Sequence, residues 1–311
     1  MKTNISLILI LCLLLGACKN GNASSQSKSE TPQDTIKAIK MPAIPQMMTA
    51  PEQRADFLAK HYWDNVNFAD TNYIHHPEVT EQAWADYCDL LNHVPLETAQ
   101  QAMRNVIDRT NVDKKVFTYI TDLADKYLYD PNSPMRNEEF YIPVLEAMIA
   151  SPVLNETEKI RPQARLKLAQ KNRIGTKALN FTYTLASGAQ GSLYQLKAEY
   201  LLLFINNPGC QACTETIEGL KNAPIINQLL QEKKLVLLSI YPDEELDEWK
   251  KHLSEFPNEW INGYDKKFTI KEEQVYDLKA IPTLYQLDKD KAVLLKDATA
   301  PAIEAYLMQH Q

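Results

Sequence analysis

The sequence is short of glycine, cysteine and positive charge, and each shortage excludes a class of protein. Only 8 of the 311 residues are glycine, too few for a collagen-like repeat or a glycine-rich linker. Five cysteines are too few for a scaffold held by disulfides. Acidic side chains outnumber basic ones by 40 to 33, so the chain lacks the basic character of a nucleic-acid-binding protein. The 45% hydrophobic content is that of a globular protein, and the length predicts about two domains.

The first eighteen residues have the pattern of an export signal. A mostly apolar run from Ile5 to Leu15 follows Lys2 and is too short to cross a bilayer comfortably. It ends in Leu15-Gly16-Ala17-Cys18, which resembles the lipobox of bacterial lipoproteins. The resemblance implies a cleaved signal peptide over residues 1–17, which includes Cys12, and lipidation of Cys18. The alternative is a plain signal peptide or an uncleaved anchor.

Residues 18–49 are expected to form a disordered tether, because they are rich in Ser, Asn, Gln, Lys and Pro and show no hydrophobic periodicity. Residue 19 is Lys, and no acidic cluster follows Cys18. By resemblance to lipoprotein sorting patterns, this favours an outer-membrane anchor with the body in the periplasm. The expected location is therefore the cell envelope.

Residues 50–174 predict an α-helical domain, since apolar residues recur at helical spacing through five or six segments. Thr80 and Asp113 are expected to cap two of the helices, and two more are predicted over Glu138–Ala150 and Glu156–Lys171. Cys88 lies on an apolar stripe and is expected to be a buried, inert thiol. Two aromatic-rich segments, 63–70 and 127–131, resemble an uncharacterised helical domain that precedes thioredoxin-like domains in bacterial lipoproteins.

His75-His76-Pro77 is interpreted as an ordinary loop rather than a metal site. Adjacent histidines point in different directions, and neither has a partner at helical spacing.

From residue 175 onward the pattern changes to short strands that alternate with helices. Tyr200–Ile205 and Leu235–Ile240 are continuously apolar, which is typical of strands buried on both faces. The first run is followed by a turn, and then by Cys210-Gln211-Ala212-Cys213 at the start of a helical pattern. About seventy residues later, Ile281-Pro282-Thr283 begins a predicted hairpin.

This arrangement resembles the thioredoxin fold, and more specifically the membrane-tethered periplasmic thiol–disulfide oxidoreductases. The CxxC pair lies between a buried strand and a helix, and Ile281-Pro282-Thr283 stands where that family has its cis-proline. The expected fold class is thus an α-helical domain followed by an α/β thioredoxin-like domain over residues 175–311, with a central mixed sheet flanked by helices.

The same residues suit thiol–disulfide exchange, which needs an exposed thiolate and a second thiol within reach. Free N–H groups and the helix dipole stabilise a thiolate at a helix N-terminus. We therefore expect Cys210 to attack and Cys213, one turn further in, to resolve the mixed disulfide, so that the two form a redox disulfide. The backbone of Ile281 is expected to hold an extended substrate, with Pro282 and Thr283 in the same groove.

The chain departs from the family at the position of the proton-relay group. Phe204 stands where many thioredoxins keep a buried acid, and Thr216 stands where tethered relatives often have Glu. Glu215, beside it, is the candidate proton relay, with a water molecule as the alternative.

No organic cofactor and no metal are expected. The expected partners are protein thiols and disulfides, a membrane redox partner that recycles the enzyme, and the lipid membrane itself, but no nucleic acid. The alternatives are a binding lipoprotein that uses the thioredoxin-like domain as a structural platform, a structural disulfide without turnover, half of a metal site, and a peroxidase. The peroxidase is disfavoured because Asn207 replaces the threonine of its Thr-x-x-Cys motif. A reductant, an oxidant and an isomerase would all use these residues.

Overall fold

A computed structural model describes residues 38–310. Cys12, Cys18 and most of the predicted tether lie outside the described residues. The end of the tether segment, residues 38–49, forms no helix or strand and lies along the helical domain. Ile39 packs against the helical core, and the Lys40 carbonyl oxygen accepts a hydrogen bond from Asn65 Nδ2 at 2.9 Å. Within residues 38–310, no helix combines the length and apolar character needed to cross a membrane.

The N-terminal part of the described chain is helical, as the periodicity predicts. Its helices are α1 (Pro51–His61), α2 (Pro77–Leu91), α3 (Leu96–Arg109), α4 (Lys114–Ala124), α5 (Glu138–Ala150) and α6 (Glu156–Ala169). They enclose a core of large apolar side chains that includes Trp84, Tyr87, Leu91, Met103, Ile107, Phe117 and Leu145. Cys88 belongs to this core with 2% of its surface exposed, and burial raises the pKa of its thiol.

Of the two expected helix caps, one is confirmed and one is wrong. Asp113 caps α4, because its Oδ1 accepts hydrogen bonds from the backbone N–H groups of Lys115 and Val116 at 2.8 and 3.1 Å. Thr80 does not cap α2, which begins three residues earlier with Pro77 in its first turn. Proline suits that position because it has no N–H to leave unpaired. The Thr80 hydroxyl instead donates within the helix, to the carbonyl oxygen of His76 at 3.1 Å.

The C-terminal part contains a seven-stranded mixed sheet flanked by helices. Its strands are β1 (Thr182–Leu185), β2 (Gln190–Ser192), β3 (Tyr200–Ile205), β4 (Leu235–Tyr241), β5 (Ile261–Tyr264), β6 (Thr283–Asp288) and β7 (Val293–Lys296). Their spatial order is β2-β1-β5-β4-β3-β6-β7, with β3, β4 and β5 parallel and the other neighbouring pairs antiparallel. The helices are α7 (Gln211–Lys221), α8 (Pro224–Gln231), α9 (Leu246–His252), α10 (Thr269–Glu272) and α11 (Ala300–Gln309).

Strand β3 is buried on both faces, as its continuous apolar run predicts. Leu202 and Phe204 point into a core shared with α7, α8 and α11, while Leu203 and Ile205 point into the core on the opposite face. Alternate side chains of a strand face opposite sides of a sheet, so an unbroken apolar run is the pattern of a central strand. The expected fold class is confirmed for both parts of the chain.

The connection between the two parts runs from Ala169 to Thr182. Asn172, in the middle of it, is buried and adopts a left-handed conformation with φ of 50°. Its Nδ2 donates to the Val275 carbonyl oxygen at 2.7 Å, and its Oδ1 accepts from the Leu179 N–H at 2.7 Å. These hydrogen bonds attach the connection to the thioredoxin-like domain, and the described residues, 38–310, all belong to one compact unit.

Candidate active site

The site lies where β3 ends and α7 begins. The turn between them includes Gly209, whose φ of 70° is a conformation that favours glycine. Cys210 is the N-cap of α7, and Cys213 lies in the first turn. The first cysteine therefore lies just beyond the C-terminal end of the central strand β3, and the unpaired N–H groups of the helix point towards that cysteine.

Cys210 Sγ contacts two backbone groups. It accepts a hydrogen bond from the Cys213 backbone N–H at 3.4 Å. It also lies 3.8 Å from the carbonyl oxygen of Ile281. The sulfur is thus held between an amide donor of α7 and a carbonyl acceptor of the loop that contains the cis-proline.

The second cysteine differs sharply from the first in its surroundings. Cys213 is 2% exposed, whereas Cys210 is partly open to solvent. Burial raises the pKa of Cys213 to about 12, and its contact with the Cys210 thiol adds to this effect. The backbone N–H of Asn207 lowers the pKa of Cys213 in part. All three cysteines within residues 38–310 are free thiols, so the structure represents the reduced form.

The loop beside Cys210 contains the predicted groove residues. The Ile281–Pro282 peptide bond is cis, and both residues are partly exposed. Thr283 follows as the buried first residue of β6, and its hydroxyl donates to Asp297 Oδ1 at 2.7 Å. The fold thus brings this segment against the first cysteine across 71 residues of sequence.

The candidate proton relay makes no hydrogen bond to either thiol. Glu215 is exposed, and its Oε1 accepts a hydrogen bond from Gln211 Nε2 at 2.9 Å on the outer face of α7. In the part of the chain that the structure describes, no hydrogen bond joins Glu215 to Cys210 or Cys213. Phe204, at the place of the buried acid of many thioredoxins, packs against the Trp260 ring.

The sequence does not predict two groups of polar contacts near the site. Asn207 donates through Nδ2 to Asp243 Oδ2 at 3.1 Å, and Lys271 pairs with the other oxygen of Asp243 at 2.8 Å. Asp297 accepts a hydrogen bond from the Thr283 hydroxyl and belongs to a cluster of buried charges. The one sequence signal for the contacts around Asp243 is the position of Asn207, three residues before the CxxC motif.

Within residues 38–310, no group of three or more His, Cys, Asp or Glu side chains is placed to hold a metal ion. His75 lies in a short 3₁₀-helix, and His76 precedes α2.

The sheet order, the CxxC pair at a helix N-terminus and the cis-proline facing it define a thioredoxin-like domain. Family models agree: residues 198–293 match a thioredoxin-like family, and residues 17–172 match a domain of unknown function (DUF5106). The chain therefore belongs to the thioredoxin-like proteins that carry this helical domain at the N-terminus. The expected resemblance, a thioredoxin-like domain preceded by a helical domain, is confirmed.

One solved structure gives the same result. The chain is similar to a thioredoxin-like protein from Bacteroides caccae, with 83% identity and a TM-score of 0.87 over 89% of this chain and all of that one. It also resembles the C-terminal domain of an uncharacterized protein from Bacteroides fragilis, with 68% identity and a TM-score of 0.44 over 44% of this chain and 98% of that one. A domain of a possible thiol-disulfide isomerase from Cytophaga hutchinsonii is 24% identical, with a TM-score of 0.39 over 45% of this chain and 95% of that one. None of the curated proteins matches the chain.

Proposed function

We propose that the protein is a thiol–disulfide oxidoreductase that exchanges disulfides with protein substrates through Cys210 and Cys213. The observation that carries the proposal is the position of Cys210 Sγ. Cys210 is partly exposed, and its Sγ lies at the N-terminus of α7, 3.4 Å from the Cys213 backbone nitrogen, and faces the Ile281 carbonyl oxygen. A thioredoxin-like domain with two free thiols in this geometry supports a redox role.

In the reducing direction, the Cys210 thiolate attacks one sulfur of a substrate disulfide. A mixed disulfide forms between Cys210 and that sulfur, and the other substrate sulfur leaves as a thiolate. Cys213 then loses its proton and attacks the Cys210 sulfur, which releases the second substrate thiolate and leaves the Cys210–Cys213 disulfide. Two electrons pass from the enzyme to the substrate, and the same steps in reverse oxidise a substrate dithiol.

The resolving step needs an acceptor for the Cys213 proton, because burial holds the pKa of this thiol at about 12. Water, or the departing substrate thiolate, serves this purpose better than Glu215, whose carboxylate is engaged with Gln211 on the exposed face of α7. The first departing thiolate leaves close to the Cys210 sulfur, where it can accept the proton that Cys213 loses.

The substrate groove runs along the loop that contains Ile281, Pro282 and Thr283. Backbone groups of Ile281 hold an extended segment of the substrate beside Cys210, as one strand holds another. Pro282 and Thr283, which follow Ile281, frame that segment.

In this function Cys18 carries the lipid that anchors the protein to the cell envelope, with the body in the periplasm and the anchor in the outer membrane. The support for the anchor is the Leu15-Gly16-Ala17-Cys18 pattern. A membrane redox partner restores the reactive form of the Cys210–Cys213 pair after each turnover, since the chain needs no cofactor of its own for the exchange.

The direct test is reduction of insulin by the purified, reduced protein, measured with a dithiol as the recycling reagent. We expect turnover that is lost in Cys210→Ala and retained in Cys88→Ala, because the Cys88 thiol is sealed in the helical core. An unaltered rate in Cys210→Ala would show that the domain is a structural platform for binding rather than an oxidoreductase.

A further inference from the structure

Six charged side chains meet where the helical domain contacts the thioredoxin-like domain. Three are acidic and three are basic, so the cluster is electrically balanced, and no side chain in it is more than 19% exposed. The members are Glu138, Asp277 and Asp297 on the acidic side, and Arg136, Lys279 and Lys296 on the basic side.

The helical domain contributes Arg136 and Glu138, at the start of α5. Glu138 Oε1 lies 3.2 Å from Lys279 Nζ, and its other carboxylate oxygen pairs with Lys296. Arg136 Nη2 donates to the Asp297 backbone carbonyl oxygen at 2.9 Å and lies 3.5 Å from Asp297 Oδ2. Each of these two side chains therefore crosses from the helical domain to the thioredoxin-like domain.

The thioredoxin-like members of the cluster lie directly beside the proposed groove. Lys279 is two residues before Ile281, and its Nζ pairs with Asp277 Oδ2 at 2.9 Å. Asp297 Oδ1 accepts a hydrogen bond at 2.7 Å from the hydroxyl of Thr283, the residue after the cis-proline. The loop over residues 277–283 is thus anchored on both sides of Ile281 and Pro282. Lys279, before them, pairs with Glu138, and Thr283, after them, bonds to Asp297, which Arg136 contacts.

Two observations favour a positioning role over a purely stabilising one. Burying ion pairs removes them from water at a free-energy cost that can exceed their mutual attraction, so a buried charge network is a weak source of stability. Asp297 also has a left-handed backbone with φ of 52°, which residues other than glycine rarely adopt. Arg136 binds the carbonyl oxygen of this same residue, and therefore holds the unusual backbone in place.

We propose that Arg136 and Glu138 are positioning residues that fix the 277–283 loop through Asp297 and Lys279, which makes the helical domain part of the substrate-binding apparatus. The consequence for substrates rests on the proposed function, whereas the effect on the loop does not. Protein substrates that lie along Ile281 depend on the shape of this loop. A small disulfide that reaches only the Cys210 sulfur does not.

The kinetic test compares insulin with cystine as the disulfide substrate in full-length Arg136→Gln. We expect the KM for insulin to rise about tenfold, the size of effect that follows from loss of one charge-assisted hydrogen bond, while the rate with cystine changes less than twofold. Equal effects on insulin and cystine would overturn the proposal.

The matched control is Arg104→Gln, which removes the same charge from the helical domain. Arg104 pairs with Asp108 on the exposed surface of α3 and has no contact with the cluster. We expect wild-type kinetics with both substrates. A rise in the insulin KM equal to that of Arg136→Gln would show that net charge, and not loop position, is responsible.

A second readout does not depend on activity. Hydrogen–deuterium exchange of the amides in 277–284 should accelerate in Arg136→Gln and Glu138→Gln and stay at the wild-type rate in Arg104→Gln, with thermal unfolding recorded to confirm that each variant folds. Unchanged exchange in both cluster variants overturns the positioning role, whatever the activity. Conversely, a wild-type protein that reduces neither disulfide refutes the proposed oxidoreductase, and the exchange rates still decide the role of the cluster.

Discussion

The Sγ atom of Cys210 lies 3.8 Å from the carbonyl oxygen of Ile281, although 71 residues separate them in the chain. A polypeptide bound to that sulfur must therefore lie against the loop that contains the cis-proline. The two residues belong to different elements, the N-terminus of α7 and the segment before β6, which the sheet holds next to each other because β3 and β6 are paired neighbours. Because Cys210 and Ile281 are so close, we expect a substrate attached to Cys210 to contact both elements.

Replacement of the resolving cysteine should trap substrates. In Cys213→Ala the first attack by Cys210 still occurs, but no second thiol is within reach to release the product, so a mixed disulfide should accumulate. Gel electrophoresis without reductant should show mixed disulfides of higher mass, which disappear after reduction with a dithiol. The double variant Cys210→Ala/Cys213→Ala is the control, and trapping by that variant would mean that another thiol is responsible.

The three described thiols should react with iodoacetamide at very different rates. Cys210 is partly exposed, while Cys213 and Cys88 are buried and burial raises the pKa of both. Alkylation requires the thiolate, so Cys213 should stay protonated and slow at neutral pH and react only as the pH approaches 12. Mass spectrometry of peptides after timed quenching measures the order. Labelling of Cys88 ahead of Cys210 in native protein would contradict the burial of Cys88 in the helical core.

Stability should fall in alkaline solution. Burial raises the pKa of Tyr62 to about 12 and raises that of the Cys88 thiol, so the folded state favours the protonated, neutral forms. Such groups stabilise the fold fully below their unfolded pKa values, about 8.5 for Cys and 10 for Tyr, and lose that contribution as the pH rises towards the folded values. Urea unfolding at pH 7, 9 and 11 should show a progressive decrease in the free energy of unfolding. A flat profile would show that these groups ionise freely in the folded protein.

Removal of the Asp113 cap should weaken the helical domain modestly. The side chain satisfies two backbone N–H groups at the start of α4, and loss of a cap of this kind destabilises a protein by about 1 kcal/mol. Asp113→Ala should lower the free energy of unfolding by that amount, measured by denaturant titration. Asp108→Ala, which removes an exposed carboxylate from α3, is the control and should change it by less than about 0.5 kcal/mol.

Local signals in the sequence were sufficient for much of the secondary structure. The helix predicted over Glu138–Ala150 and the strand predicted over Tyr200–Ile205 have the bounds of the observed elements, since helical periodicity and an unbroken apolar run are both local patterns. Strand β5 was not predicted, because Ile261-Asn262-Gly263-Tyr264 carries neither an alternating nor an apolar pattern. Its strand conformation comes from pairing with β4 and β1 on either side.

Local sequence signals likewise predict one part of the site, and only the tertiary structure gives the rest. The sequence by itself determined the CxxC pair and its place between a buried strand and a helix, because four adjacent residues and their flanks carry that signal. Only the tertiary structure decided that Cys210 faces Ile281, that Glu215 pairs with Gln211, and that Glu138 meets Lys279 across 141 residues. The physical reason is range: caps, turns and periodicity act between residues a few positions apart. Contacts between distant segments exist only after the packing of whole domains has brought the side chains together.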